Sequence, residues 1–213
     1  MTTKQFVDVS DPVEPVSLAE ARAHLNLAPD VDSDDVESHP DDAQISAFIT
    51  AAREWVEFAT GCTIAERLIE CSFDSFPDDD EPLELMAYPV NEVSSVVYTT
   101  SSGDVSSTDE AEPWTLDDAS MPARLVLNDG QSWPTTAAVP NAVRVTLNVG
   151  FRAADAEQST GVRVIPKTLR GAILLLAAHY YEHREDATEK ALQEIPNGVQ
   201  VLMRTWRYRT GIA

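Results

Sequence analysis

The spacing of apolar residues along the chain changes twice. Between Asp41 and Thr60 apolar side chains recur at helical spacing, and a second helical pattern covers residues 167–185. Between these two stretches, from residue 64 to 150, apolar and polar residues alternate and turn-forming residues are frequent, which is typical of roughly five to seven short antiparallel strands. This order predicts an α+β fold, a small helical bundle with an inserted antiparallel β-rich domain.

Signals at the helix ends refine this outline. Ser17 to Glu20 matches a capping box and predicts a short first helix. The acidic stretch 30–40 is too polar to be buried, so we expect a solvated loop whose Pro40 opens the second helix. Gly61 is placed to end that helix, and Pro166 to open the third. We expect three segments: helices in residues 1–63, the inserted β-domain in 64–150, and the C-terminal helices with a basic tail in 151–213.

The third helix is apolar around most of its circumference. Besides its main stripe it carries four further apolar residues: Leu174, Leu175, Ala178 and Tyr181. A helix of this kind is buried on most sides, and a bundle this small has little surface with which to cover it. We therefore predict that these four residues contact another subunit.

The chain ends in a segment that combines arginines with aromatic residues. Pro196-Asn197-Gly198 is expected to break the chain before a last helical stretch at residues 199–206. The basic aromatic tail comprises Arg204, Trp206, Arg207, Tyr208 and Arg209. Arginine and tryptophan are common interface anchors, which favours a docking surface. The alternative is that the aromatic residues pack on the chain's own helices while the arginines neutralise its own acids.

The net charge is strongly negative and unevenly spread. Against 36 acidic residues the 213-residue chain has 15 basic ones, only three of them lysines, for a net charge of −21. Residues 1–60 hold 13 acids and 3 bases, residues 61–150 hold 16 and 3, but residues 151–213 hold 7 and 9. Such a surface repels a phosphate backbone, so DNA is expected to pass it without binding. Dense carboxylates with few lysines are also expected of a salt-loving host, where high salt screens self-repulsion.

Composition excludes several other classes. No apolar run reaches the roughly 18 residues that a membrane span needs, and the first residues show no signal-peptide pattern, so we expect a soluble, unsecreted protein. Cys62 and Cys71 are too few for a disulfide framework and lack a metal-type spacing. We expect buried thiols, with a disulfide between them left open.

One short string matches a zinc-protease pattern. His179, Glu182 and His183 fit the H-x-x-E-H spacing, which places two imidazoles one helical turn apart beside a glutamate. A protease also needs a third ligand and a cleft, and the apolar surroundings indicate that His179 packs in the helix interface while the other two lie at its solvated end. We therefore expect no metal and no catalytic residue here.

Other catalytic and binding motifs are weak or absent. The acidic loop copies the first three ligand positions of an EF-hand with Asp30, Asp32 and Asp34. It has Asp35 where the sharp turn needs glycine and Asp41 where calcium needs a bidentate glutamate, so a solvated loop is the better interpretation. No phosphate-binding glycine loop and no serine-hydrolase elbow occurs.

Five stretches together resemble one protein family. They are LAEARAHLNL in the first helix, ITAAREWVEFATG in the second, AYPVNEVSSVVY in the β-rich middle, VIPKTLRGAILLLAAHYYEHRED in the third helix, and PNGVQVLMRTWRYR near the end. The chain resembles, over about residues 14–208, the head-tail connector (adaptor) proteins of long-tailed bacteriophages and related tailed viruses. The long acidic loop and the extreme charge depart from that family's pattern and leave the host and the surface contacts open.

The resemblance implies a structural virion protein without a cofactor. Adaptors of this family form a ring, commonly of twelve copies, that joins the portal protein to a tail-proximal connector or stopper protein and lets DNA pass through its lumen. The expected location is the virion neck, with the host cytoplasm during assembly. Two alternatives from other classes remain: a metal-dependent hydrolase built on the H-x-x-E-H helix, and a monomeric binding module.

Overall fold

A computed structural model describes residues 5–28, 30–31, 37–78, 80–108, 113–152, 163–183 and 195–206. The helices are α1 (Leu18–His24), α2 (Asp42–Thr60), α3 (Lys167–Glu182) and α4 (Asn197–Met203), which a 3₁₀ turn continues (Arg204–Trp206). The strands are β1 (Gln5–Asp8), β2 (Asp30–Val31), β3 (Glu37–Ser38), β4 (Arg67–Phe73), β5 (Leu83–Glu84), β6 (Val90–Thr99), β7 (Val105–Ser107), β8 (Trp114–Asp117), β9 (Arg124–Leu127) and β10 (Val143–Val149). The predicted α+β class is confirmed, and none of these helices is long and apolar enough to cross a membrane.

The helix ends follow the predicted signals except at α4. The Oγ of Ser17 caps α1 by accepting the backbone N–H of Glu20 at 3.2 Å. Gly61 ends α2 with a φ of 72°, a left-handed conformation that glycine adopts at little cost. The last helix begins two residues before the predicted Val199: Pro196 is its non-helical N-cap, and α4 starts at Asn197. Backbone N–H groups in a first helical turn have no intrahelical acceptor, so turn-forming residues are tolerated there.

Two antiparallel sheets form the middle of the chain. The larger has the order β1-β4-β10-β6-β7 and the smaller the order β5-β9-β8, so the described part of residues 64–150 supplies seven strands. Apolar residues from the facing sides of both sheets form one core; among them are Ile69, Leu85, Val96, Leu125, Val145 and Leu147. This confirms the predicted antiparallel strands at the upper end of their expected number.

Two strand pairs lie where the sequence predicted none. In the N-terminal segment, expected to be helical, β1 pairs with β4 at one edge of the larger sheet. In the acidic stretch, expected to be a loop, β2 and β3 pair over two residues each. Both are short, and charged residues such as Asp8 and Glu37 weaken the alternating pattern by which strands are recognised.

The helices enclose a second core. The buried side of α2 packs against α3, and α1 and α4 also pack against α3. The fully buried side chains at the centre of this core are Ile45, Val56, Ile64, Leu169, Ile173, Leu176 and Val199. Ile64 lies just before the β-region and Phe151 just after it, and both are buried in this core. The helical core therefore includes the two points where the chain enters and leaves the sheets.

A buried ion network joins α2 to the larger sheet. The carboxylate of Glu57 accepts from Arg53 Nη1 at 2.9 Å and from Arg67 Nη1 at 2.8 Å. It also accepts the backbone N–H groups of Ile64 at 2.6 Å and Ala65 at 3.1 Å. Burial opposes the charge on Arg67, but the hydrogen bond and the negative charge of Glu57 outweigh it and raise the pKa of Arg67 above its ordinary value. Glu57 therefore fixes the position of the helical bundle relative to β4.

Candidate assembly surfaces

The four predicted interface residues on α3 differ in exposure. Leu174 and Tyr181 are partly buried against the helical core, and the hydroxyl of Tyr181 donates to Asp41 at 2.6 Å. Ala178 is half-buried beside a small crevice between α1, α2 and α3. Leu175 is 40% exposed. The chain's own helices thus cover more of α3 than we expected, and Leu175 is the member of the group that a neighbour can reach.

The described part of the basic aromatic tail is held against the bundle. Trp206 donates its indole N–H to Thr168 Oγ1 at 2.8 Å, and its ring meets Phe151 edge-on with centroids 6.2 Å apart. The Sγ of Cys62 lies 3.3 Å from the Trp206 carbonyl oxygen. These contacts match the alternative in which the tryptophan packs on its own chain. Arg204 is exposed, while Arg207, Tyr208 and Arg209 lie outside the described residues.

The H-x-x-E-H residues occupy the C-terminal end of α3. The rings of His179 and His183 lie 4.4 Å apart, centroid to centroid, and His183 Nδ1 is 2.9 Å from the carbonyl oxygen of His179. Glu182 and His183 are exposed and His179 is half-buried, as expected. Burial raises the pKa of the adjacent Tyr180. Among the described residues no three His, Cys, Asp or Glu side chains are grouped so that they could hold a metal ion.

Both cysteines are buried thiols. Cys62 follows the end of α2 in the helical region, whereas Cys71 lies in the core between the two sheets. Their environments agree with the expectation of packed, reduced side chains.

The outer face of α2 carries the most exposed large apolar side chain in the described part of the chain. Phe58 is 88% exposed, and Ala43, Ala47 and Ala51 on the same side of the helix are also exposed. This face is not among the surfaces predicted from the sequence, although the sequence contains a signal for it. Phe58 lies off the apolar stripe of α2, and together with the exposed alanines it forms an apolar patch, which is typical of an interaction surface.

Apolar and basic side chains are both exposed along α3, α4 and the turn after α4. Val201 on α4 is 63% exposed, and Lys167 and Arg204, at the beginning of α3 and after α4, are exposed as well. The basic excess of residues 151–213 is therefore displayed in part on the α3–α4 side of the bundle.

Comparison with known proteins finds similar structures but no similar sequences. No protein-family model matches the chain, and no curated protein matches it. A chain from the neck of an empty GTA particle, computed with C6 symmetry, has a TM-score of 0.73 at 23% identity over 98% of each chain. A chain from the virion of a native gene transfer agent (GTA) particle gives 0.72 at 23% identity, covering 98% of this chain and 97% of that one. One from the neck of a native GTA particle, computed with C12 symmetry, gives 0.70 at 22% identity over 98% of both. The chain shares the fold of these neck proteins along nearly its whole length.

Proposed function

We propose that this protein is a structural component of the head-tail junction of a tailed virus or a related particle. In this role it is a ring-forming adaptor between the portal and the tail. The observation that carries the proposal is the fold likeness to neck proteins, which covers 98% of this chain and 98% of the matching chain. The likeness therefore spans nearly all of both chains.

Cyclic assembly is supported by the symmetry of the matching particles. Their necks were computed with C6 and C12 symmetry, and rings of identical chains have cyclic symmetry. A ring of twelve copies of the 23.3 kDa chain has a mass of about 280 kDa. Leu175, exposed on α3, is one contact point that this proposal assigns to the neighbouring copy.

Passage of DNA through the lumen fits the charge of the chain. With a net charge of −21, the protein lacks the cationic excess that neutralises phosphates and holds nucleic acid by counterion release. A lumen with an acidic lining would repel the duplex from all sides and leave it free to move. This is the expected behaviour of a conduit and the opposite of a DNA-binding protein.

The basic tail is the proposed portal-binding segment. Trp206 is anchored to the bundle by its hydrogen bond to Thr168 and its ring contact with Phe151, so it fixes the point from which residues 207–213 continue. Exposed Arg204 and the following Arg207 and Arg209 then supply positive charge for an acidic partner surface. Tyr208 adds an aromatic anchor to this segment.

The mass of the purified chain tests ring formation. We expect light scattering in dilute and in molar salt to yield a mass near that of the twelve-copy ring in at least one condition, and negative-stain images to show rings with a central hole. The proposal would be wrong if the chain is monomeric in every condition and is also absent from the necks of the particles made by cells that express it. One tightly bound zinc per chain would favour the hydrolase alternative instead.

Truncation tests the portal contact. Removing residues 207–213 leaves the core contacts of Trp206 in place, so we expect a folded ring that no longer binds portal-bearing heads. Removing residues 204–213 is the matched control for stability, because it also deletes Trp206 and should lower the melting temperature. A 207–213 deletion that still binds heads at full occupancy would place the portal contact elsewhere.

A further inference from the structure

The proposed ring constrains what kind of interface the chain can have. The inference below rests on that proposed function. A closed ring with more than two members needs a heterologous contact, in which one patch of each copy meets a different patch of the next. Since 29 of the 36 acids lie in residues 1–150, an interface between two surfaces from this region would bring like charges together. One of the two patches is therefore expected to come from residues 151–213.

The first patch is the outer face of α2. Phe58 exposes 88% of its surface there, and burying this side chain against another copy would remove a large apolar area from water. Glu54, one helical turn earlier on the same face, has a side chain that is 65% exposed. The patch is thus an apolar anchor with a negative charge beside it, and the exposed alanines preceding it allow close approach of another helix.

The second patch is the exposed side of α3 and α4. It offers two apolar side chains, Leu175 at 40% and Val201 at 63% exposure. It is accompanied by two exposed cations, Lys167 and Arg204. This combination, apolar with positive charge, is complementary to the apolar and negative combination on α2.

The arrangement of the helices places the two patches on different sides of the bundle. The buried side of α2, with Ala52 and Val56, packs against α3, and Phe58 lies away from that side. Gly171 of α3 faces Leu202 of α4, so α4 covers a side of α3 other than the one that meets α2. Two complementary patches on different sides of one molecule produce a head-to-tail contact that repeats from copy to copy.

We infer that Phe58 of one copy packs against the Leu175 and Val201 side chains of the next copy in the ring, with Glu54 facing Lys167 and Arg204. The occupant of the exposed α2 face is thus a second copy of this chain. The charged pairs set the orientation of the two copies, and the phenylalanine supplies the desolvated anchor.

Cysteine cross-linking tests the direction of the contact. The probes are Ala51→Cys, on the same exposed side of α2 as Phe58, Leu175→Cys and the double variant, each treated with a bis-maleimide. Phe58 and Val201 stay in place in all three, and the wild-type chain, whose Cys62 and Cys71 are buried, is the control. We expect the double variant to form a ladder of products from two chains upward and each single variant to remain at one chain. An equimolar mixture of the two single variants should give a two-chain product.

Different failures overturn different statements. If the wild-type chain forms rings but the double variant gives no ladder, the interface lies elsewhere and the proposed function stands. If Ala51→Cys alone forms dimers and stops there, the contact is symmetric and the inference is wrong. If the wild-type chain forms no oligomer alone and none in particles, the ring and the inference both fail.

A point substitution supplies an independent readout. Phe58→Ser should reduce the mass from the ring to the single chain and leave the melting temperature of the single chain within a few degrees, because the side chain is exposed. Val105→Ser is the matched control, since Val105 is 67% exposed on the edge strand β7 and lies outside both patches. Rings that persist in Phe58→Ser, or that are lost equally in Val105→Ser, would contradict the inference.

Discussion

The carboxylate of Glu57 holds the helical bundle against the larger sheet. The substitution Glu57→Ala removes this carboxylate. The change leaves two backbone donors, the N–H groups of Ile64 and Ala65, without their acceptor. It also takes away the counter-ion of two guanidinium groups whose side chains are only 4% and 13% exposed, those of Arg53 and Arg67. We expect the bundle and the sheet to lose their fixed relation and the chain to lose stability.

The size of the effect follows from the burial of the partners. Removing one member of a buried ion pair costs about 3–5 kcal/mol, because the remaining charge stays buried without compensation. Arg53 keeps a second partner in Glu14 at 3.1 Å, and Arg67 keeps Asp8 at 2.9 Å, so the lower half of that range is expected for the charges. Leaving the N–H groups of Ile64 and Ala65 without an acceptor adds a further cost to that of the charges. We therefore expect a loss of about 4 kcal/mol in the free energy of unfolding.

Urea unfolding followed by circular dichroism, at a protein concentration where the chain is monomeric, measures this loss. Glu54→Ala is the matched control: the same residue type on the same helix, 3.7 Å from the same Arg53, but with a side chain that is 65% exposed. Exposed pairs contribute about 0–1 kcal/mol, so the control should be nearly neutral. Equal losses in the two variants, or a loss below about 1 kcal/mol in Glu57→Ala, would refute the argument from burial.

Three further outcomes are expected. The melting temperature should rise from dilute to molar salt, because 36 acids and 15 bases leave a self-repulsion that salt screens; a flat profile in differential scanning calorimetry would contradict this. The purified protein should contain no stoichiometric zinc by elemental analysis, and His183→Ala should leave its oligomeric mass unchanged. Hydrogen bonds from the Ser120 hydroxyl and from Arg124 lower the pKa of Asp117, so its stabilising effect is present above the pKa of an unfolded aspartate and is lost as the pH falls through the lower folded value. In an NMR titration, Ser120→Ala should shift the Asp117 midpoint upward.

Much of the fold follows from periodicity and from residues with special backbone properties. The helical spacing before Gly61 and after Pro166 predicted α2 and α3, and the left-handed φ of Gly61 is the reason that its position marks a helix end. The strands between residues 64 and 150 were recognisable because alternate positions are buried, as in β10. These signals are local, and each element could be predicted from its own residues.

The missing elements depend on contacts far away in the sequence. The edge strand β1 exists because it pairs with β4, more than 60 residues later, and four residues of mixed character do not indicate that pairing by themselves. The start of α4 was wrong for a related reason. Asn197 and Gly198 form turns in isolation, but the packing of Val199 and Met203 in the helical core outweighs that preference.

The candidate surfaces were predictable only where apolar residues exceed what one bundle can bury. The excess of apolar residues on α3 pointed to Leu175, but it pointed equally to Leu174 and Tyr181, which the chain's own helices partly cover. For Trp206 the sequence did not distinguish docking on a partner from packing on its own chain, because both roles use an aromatic ring beside arginines. Phe58 was overlooked because it lies off the apolar stripe used to recognise α2, and its 88% exposure is a property of the folded surface.

The charge distribution determines how salt should act on the proposed ring. Twelve copies bring together on the order of 250 negative charges, and at low ionic strength their mutual repulsion extends over about 10–30 Å, well beyond one interface. The proposed pairs of Glu54 with Lys167 and Arg204 act over a few ångströms and are worth only about 0.2–1 kcal/mol each at an exposed rim. Salt weakens both effects, but the repulsion involves every copy and the pairs involve only neighbours. Because burial of Phe58 does not depend on charge and is strengthened by excluded salts, ring assembly should be favoured as the salt concentration rises, in the same direction as the stability of the single chain.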